Sequence, residues 1–330
     1  SERKEAMETF LEEYPSFHFE SAESLLKRAP KNATKKEQFA QALIPHRIRR
    51  DEERNTQVNK LLNSLASGEE ITSDVAKAVR NAADDVKAEE QRQLTEYVLR
   101  RKVVLQVLEQ LIRRIREKNE DEHDYHLEST LHQFISPMQI RGGDPARVES
   151  SEHDLWVIDE RLTFAKYFAS DVSFRSMIEE SKSAERPDVL IYDKLHGLGL
   201  QGDEPLTRVM IVEFKKPGRR HYDERYSPMN QILRYLNELA GQEVENFKGQ
   251  RVRIARDCVF YCYVVADIVG MMKVYTSAWK TTANGRGRWT ELSGDFQGSI
   301  EVIEWKDLID DAKLRNRPFI HYAGLRYEDE

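Results

Sequence analysis

Between Gly68 and Gly142 the chain contains no glycine and one proline, Pro137. Glycine and proline are the residues that most readily end a helix. A span this long without them is committed to helix wherever its apolar residues recur at helical spacing. They do so from Ser73 to about Lys118, which is predicted as one long helix. Ser73 supplies a capping hydroxyl and Asp74 an acidic group for the first turn. Val75, Val79, Ala82 and Val86 form a stripe with steps of four, three and four. Leu105, Leu108, Ile112 and Ile115 continue it with steps of three, four and three. This periodicity approaches a coiled-coil seam. The highly charged middle, Asp84 to Gln93, belongs in solvent.

Residues 36–66 are predicted to be helical as well. Pro45 breaks that segment near its start, and Leu61, Leu62 and Leu65 mark its apolar side. Ser67-Gly68-Glu69-Glu70 supplies a turn, so the two segments make an antiparallel helical hairpin. Glu20 to Arg28 is a further short helix. No glycine-rich phosphate loop occurs in this half. Residues 1–120 read as an all-α, coiled-coil-like arm for dimerisation or spacing.

Past residue 120 the pattern changes. Leu155-Trp156-Val157-Ile158 is a short apolar run, and Arg161 to Ser170 looks helical. Three runs, Asp188–Tyr192, Val209–Phe214 and Cys258–Val265, are strand-like and apolar on both faces, as central strands covered by helices require. Segment 195–206, with three glycines and one proline, is a loop. Pro228 to Leu236 is helix-like, Gly285-Arg286-Gly287-Arg288 is a turn between strand-like sequences, and Trp305 to Leu314 is a late helix. Residues 121–330 are therefore expected to form an α/β domain with a mixed sheet.

Two of those strands carry acidic groups at one end. Asp188 opens the first, and Glu213 stands near the end of the second with Lys215 two residues on. Side chains alternate along a strand, so Glu213 and Lys215 share a face while Phe214 and Lys216 take the other. On adjacent strands Asp188 and Glu213 could hold one divalent cation. Hard cations such as Mg²⁺ or Mn²⁺ prefer such oxygen ligands. Lys215 beside the ion could steer a water, which is the minimal equipment for metal-assisted phosphodiester hydrolysis. Lys216 is expected to contact phosphate or to be solvated, unless a bulge at the strand end exchanges the two lysines.

Pro187-Asp188 followed by Glu213-Phe214-Lys215 resembles the PD-(D/E)XK nuclease superfamily. Gln231 and Tyr235 on the next helix resemble the QxxxY motif of its RecB-like branch, and Glu128 lies where the superfamily commonly places an acidic residue on its first core helix. The resemblance implies a restriction-endonuclease-like sheet flanked by helices and a third ligand from the Phe214 backbone carbonyl. It places Gln231 and Tyr235 beside the site. Glu128 would reach the metal directly or through water, with His132 on the same helical face as a structural or hydrogen-bonding residue. Arg219, Arg220 and Arg225 would be phosphate contacts. Residues 121–330, with Glu304-Trp305-Lys306-Asp307-Leu308 and Arg315-Asn316, are also similar to the C-terminal nuclease portion of bacterial proteins that begin with an Hsp90-like ATPase, several of which serve in anti-phage defence. The chain begins with Ser1 and is expected to be a piece of a longer polypeptide, with such an ATPase in cis.

The net charge of −7 argues against a uniformly basic coat for nucleic acid. From Leu206 to Arg256, however, eleven Lys and Arg face six Asp and Glu, a local surplus of five positive charges. Arg100, Arg101, Lys102, Arg113, Arg114 and Arg116 give the helical arm a second reading, as a surface that touches DNA. The two cysteines, Cys258 and Cys262, share a strand face but stand too far apart to bond, so they are expected to be buried thiols in a cytoplasmic protein without a membrane partner. The expected function is a Mg²⁺-dependent endonuclease on DNA, with RNA left open, serving as the effector of a defence protein. The alternative is a catalytically silent nucleic-acid-binding or dimeric adaptor module on the same fold.

Overall fold

A computed structural model describes residues 2–17, 20–67, 73–117, 125–141, 153–164, 168–192, 205–245, 249, 251–283, 285 and 287–322. The chain forms two compact units, Ser1–Val103 with Asn316–Glu330, and Val104–Arg315.

In the first unit, α1 (Glu2–Glu13), α2 (Ala22–Arg28) and α3 (Lys36–Ala66) pack on one another around Met7, Phe10, Leu25, Phe39 and Leu43. Ser21 caps α2 by accepting the Ser24 N–H. Pro45 does not break α3, contrary to expectation. A proline forfeits one backbone bond, and the buried Phe39 and Leu43 hold the turns before it. Further along, Ile48 and Leu62 are exposed, while Leu61 is half-buried. The proposed turn at 67–70 lies, apart from Ser67, outside the described residues.

The long helix forms as predicted: α4 runs Ser73–Glu117. Its stripe is not one continuous coiled-coil seam. Val79 is exposed, whereas Leu105, Leu108, Ile112 and Ile115 are buried in the core of the second unit. The break between units consequently falls inside α4, after Val103, and not near residue 120.

The second unit is α/β with a mixed sheet of nine strands among the described residues. β1 (Ile140–Arg141), β2 (Phe168–Ser170), β3 (Val189–Ile191) and β4 (Leu206–Phe214) are antiparallel neighbours. β4 pairs parallel with β6 (Arg251–Val265), and β6 parallel with β9 (Gln297–Ile303). β8 (Arg288–Glu291) and β7 (Lys280–Thr281) finish that edge, and β5 (Glu243–Glu245) pairs with the start of β6. Helices α5 (Tyr125–Ile135), α6 (Phe174–Met177), α7 (Pro228–Leu239), α8 (Met271–Tyr275) and, as far as Arg315, α9 (Trp305–Tyr322) complete the unit's chain path.

Both sheet faces are covered. Val209 and Ile211 of β4 pack with Ile232, Tyr235 and Leu236 of α7. Val212 and Phe214 pack on the other face with α4, Leu131 of α5 and Trp305 of α9. Cys258 and Cys262 are buried free thiols on the α7 side. Burial pushes the Cys258 thiol up to about 12 and Cys262 up likewise. The helix expected over Arg161–Ser170 is not one: Glu160–Phe164 is a short 3-10 turn, and Phe168–Ser170 is β2. Pairing with β3 buries all three β2 residues, which outweighs their weak local preference. Among the described residues no helix is long and apolar enough to cross a membrane.

Candidate active site

Strand register builds the site. Val189 pairs with Val212 across β3 and β4, and one step further along the ladder sets Asp188 opposite Glu213. On the other side of β3, Ser170 pairs with Val189, and one step further sets Asp171 opposite Asp188. The Asp171 N–H donates to the Asp188 carbonyl at 3.0 Å. Residues directly opposite in an antiparallel ladder present their side chains on one face. Three carboxylates therefore cross β2, β3 and β4 in a row. Asp171 has φ 53°, a conformation that asparagine and aspartate tolerate better than most residues.

Glu213 is buried and surrounded by donors. Its Oε1 accepts Lys215 Nζ at 2.9 Å and Gln231 Nε2 at 2.6 Å, and its Oε2 accepts the Tyr235 hydroxyl at 3.1 Å. Gln231 also donates to Tyr235 at 2.8 Å. The four-residue spacing on α7 puts both on the face that packs on β4. Burial and the neighbouring Asp188 push the Glu213 carboxyl up to about 7, against the opposing pull of Lys215. Burial favours a neutral Lys215, but Glu213, Glu128 and Asp188 outweigh it and raise its pKa. Tyr235 is held well above the ordinary phenol range by burial and by Glu213 and Asp188.

Asp188 accepts the Phe214 N–H at 2.6 Å, and its Oδ1 lies 3.5 Å from His132 Nδ1. The other His132 nitrogen lies 2.8 Å from Ser170 Oγ, so the imidazole bridges β2 and β3. Burial opposes protonation of His132, yet the Asp188 carboxylate prevails and raises its pKa. From α5, Glu128 accepts the Lys216 N–H at 2.8 Å, with Arg219 at 3.9 Å. Its carboxyl is raised by burial and by Asp188, with Lys215 opposing.

The turn after β4 is tied on several sides. Arg219 N–H donates to the Lys216 carbonyl at 3.2 Å, with Pro217 and Gly218 at the central positions. Gly218 has φ 77°, as the third residue of a type II turn requires. Asp267, just past β6, accepts the Gly218 N–H at 2.7 Å and both Arg116 Nε and Nη2, at 2.9 and 2.6 Å. Trp305 stacks on Phe214 and donates its indole N–H to the Lys215 carbonyl at 2.7 Å.

These groups open onto a cavity of about 720 Å³. Glu128, Asp188, Glu213, Lys215, Arg219, Arg225, Gln231 and Tyr235 all line it. One expectation fails. Lys216 is neither solvated nor at the surface: its side chain is buried, 2% exposed, on the face opposite Lys215. Strand alternation continues two residues past β4 and carries it inward. Arg220 is exposed and does not line the cavity; its carbonyl accepts the Met271 N–H. Arg225 lines the rim but is paired with Glu185 at 2.6 Å. Sequence reasoning missed Asp171, Glu185, Arg186 and Tyr226 on the lining, and Asp267 behind it. Asp171 pairs with Arg186 at 2.9 Å. Asp267 directly follows an apolar run, which is a readable signal; Asp171 follows Arg161–Ser170, where the sequence suggests a helix.

Among the described residues no group of three His, Cys, Asp or Glu side chains converges on one point as ready-made metal ligands. The donor chemistry nonetheless suits a hard cation. Asp188 and Glu213 are oxygen donors on one rung, and Asp188 adds to the cost of ionising the buried Glu213, which a divalent ion would relieve. The Phe214 carbonyl leaves the strand on the same side as the N–H that Asp188 holds, since both groups of one residue point to one strand edge. Compared with protein-family models, curated proteins and solved structures, the chain matches none.

Proposed function

We propose that the Val104–Arg315 unit is a metal-dependent nuclease with a restriction-endonuclease-like fold. The observation that carries this reading is the placement of Asp188 and Glu213 on one rung with Lys215 on Glu213. Mg²⁺ or Mn²⁺ held by Asp188, Glu213 and the Phe214 carbonyl, with Glu128 direct or through water, would supply a water of lowered pKa and neutralise charge on the scissile phosphate. Lys215 orients that water and meets the developing negative charge. Gln231 and Tyr235 hold the Glu213 carboxylate in one orientation, and His132 does the same for Asp188. Arg219 and Arg225 are placed at the cavity to meet phosphate oxygens.

From the sequence resemblance of Glu304–Leu308 and Arg315-Asn316 alone we further infer an effector role on DNA, with the helical unit as a dimerisation element. A panel of plasmid, linear duplex, single strand and RNA, each with Mg²⁺, Mn²⁺ or chelator, tests the activity. Cleavage that requires the metal and is lost in Asp188→Ala, Glu213→Ala and Lys215→Ala supports it. A second reading, a silent binding module, draws on the hydrogen bonds that already occupy both carboxylates and on the lack of converged ligands among the described residues. Nucleic-acid binding with no cleavage under any divalent ion would establish that reading instead.

A further inference from the structure

One wall of the cavity carries an aromatic ring that hydrolysis does not require. Tyr226 ends the short turn Glu224–Tyr226 ahead of α7, lines the cavity and is 39% exposed. A single exposed tyrosine is ordinary; its setting here is not. The Arg225 and Arg234 guanidinium carbons stand 6.0 and 5.8 Å from the ring centroid. Both arginines pair with Glu185, at 2.6 and 3.2 Å, and Arg234 also donates to the Arg225 carbonyl. Both guanidiniums are thus tied to Glu185 with the ring against them, on the wall of the cavity that holds the row of carboxylates.

On the nuclease reading of those carboxylates, we propose that Tyr226 is a stacking platform for an unpaired nucleobase, with Arg225 meeting the phosphate beside it. The substrate class is then single-stranded nucleic acid. In a duplex each base face is covered by its neighbours, so only an unpaired nucleotide offers its π-face to a ring. Base–aromatic stacking flanked by arginine is how single strands are gripped without sequence readout. The pairing of Arg225 with Glu185 keeps that guanidinium at the rim, where a backbone phosphate can share it.

The test is binding by the full chain to labelled single-stranded DNA, single-stranded RNA and duplex of equal length, at low salt with chelator present. The parent should bind single strands more tightly than duplex. Tyr226→Ala should weaken single-strand binding roughly ten-fold, the effect of one lost stacking contact, and leave duplex binding unchanged. Tyr226→Phe, which keeps the ring, should bind like the parent and shows that the site still folds. The DNA and RNA arms reveal which sugar is preferred. Duplex bound as tightly as single strands, no single-strand binding, or equal loss in the Phe and Ala variants would each overturn the proposal. Because the readout needs no metal and no cleavage, an inactive chain that binds in this way sinks the nuclease reading alone. A chain that cuts without any dependence on Tyr226 sinks only this inference.

Discussion

Asp188 and Glu213 face each other one rung beyond Val189 and Val212, and each takes a hydrogen bond from the other's strand: Phe214 N–H to Asp188 at 2.6 Å, Asp188 N–H to Glu213 at 3.4 Å. The ladder ends by exchanging backbone partners for carboxylates. That geometry locks the two acids together. Asp188→Asn and Glu213→Gln keep the shape and remove the charge. Each should lower cleavage by roughly 10²-fold or more, the scale of losing one preorganised electrostatic contact. Thermal unfolding should show both variants folded. Parent-like cutting by both would dismiss these residues as metal ligands.

The raised Glu213 carboxyl sets a pH dependence in the metal-free protein. Its pKa is about 7 when folded against 4.5 for an ordinary glutamate. The folded state thus binds this proton more tightly than the unfolded state, and its contribution to stability is full below the unfolded value. It is lost as pH rises through about 7. Urea unfolding in chelator from acid to neutral pH should show the parent losing stability relative to Glu213→Gln across that window. Parallel curves for the two proteins would refute the shift.

On the proposed nuclease reading, charge at the cavity predicts that a divalent metal would assist binding as well as chemistry. Glu128, Asp171, Glu185, Asp188 and Glu213 line it against Arg186, Lys215, Arg219 and Arg225, with His132, whose pKa Asp188 raises, among them. One divalent ion shifts that balance toward positive. Nucleic-acid affinity measured by anisotropy should rise roughly ten-fold or more on adding Ca²⁺ to chelated protein, the low end of what a local field change produces. An unchanged affinity would argue that the strand does not enter this cavity.

Asp267 acts on the site through the turn it holds. It joins Arg116 of α4 to the Gly218 N–H, and so fixes the segment that carries Lys215 on one side and Arg219 on the other. Asp267→Ala removes charged hydrogen bonds, each worth about 1.5–3 kcal/mol. The expected result is faster amide exchange at Gly218 and a fall in kcat of about ten-fold with KM little changed. Slow exchange at Gly218 in the variant would show that the turn needs no such support.

Much of the site was legible because it follows local periodicity. The two-residue step from Glu213 to Lys215 and the four-residue step from Gln231 to Tyr235 each assign a shared face, whatever the rest of the chain does. The glycine-free span likewise determined α4 with no help from its surroundings. Tertiary structure alone decided the rest. It set Asp171 beside Asp188, turned Phe168–Ser170 into a strand, buried Lys216 and returned Asp267 beneath Gly218. It also drew the C-terminal part of α4 into the α/β core. Periodicity records which side of its own element a residue takes. Register between strands, and the helix that covers the far face, depend on contacts between segments distant along the chain, and no local pattern encodes them.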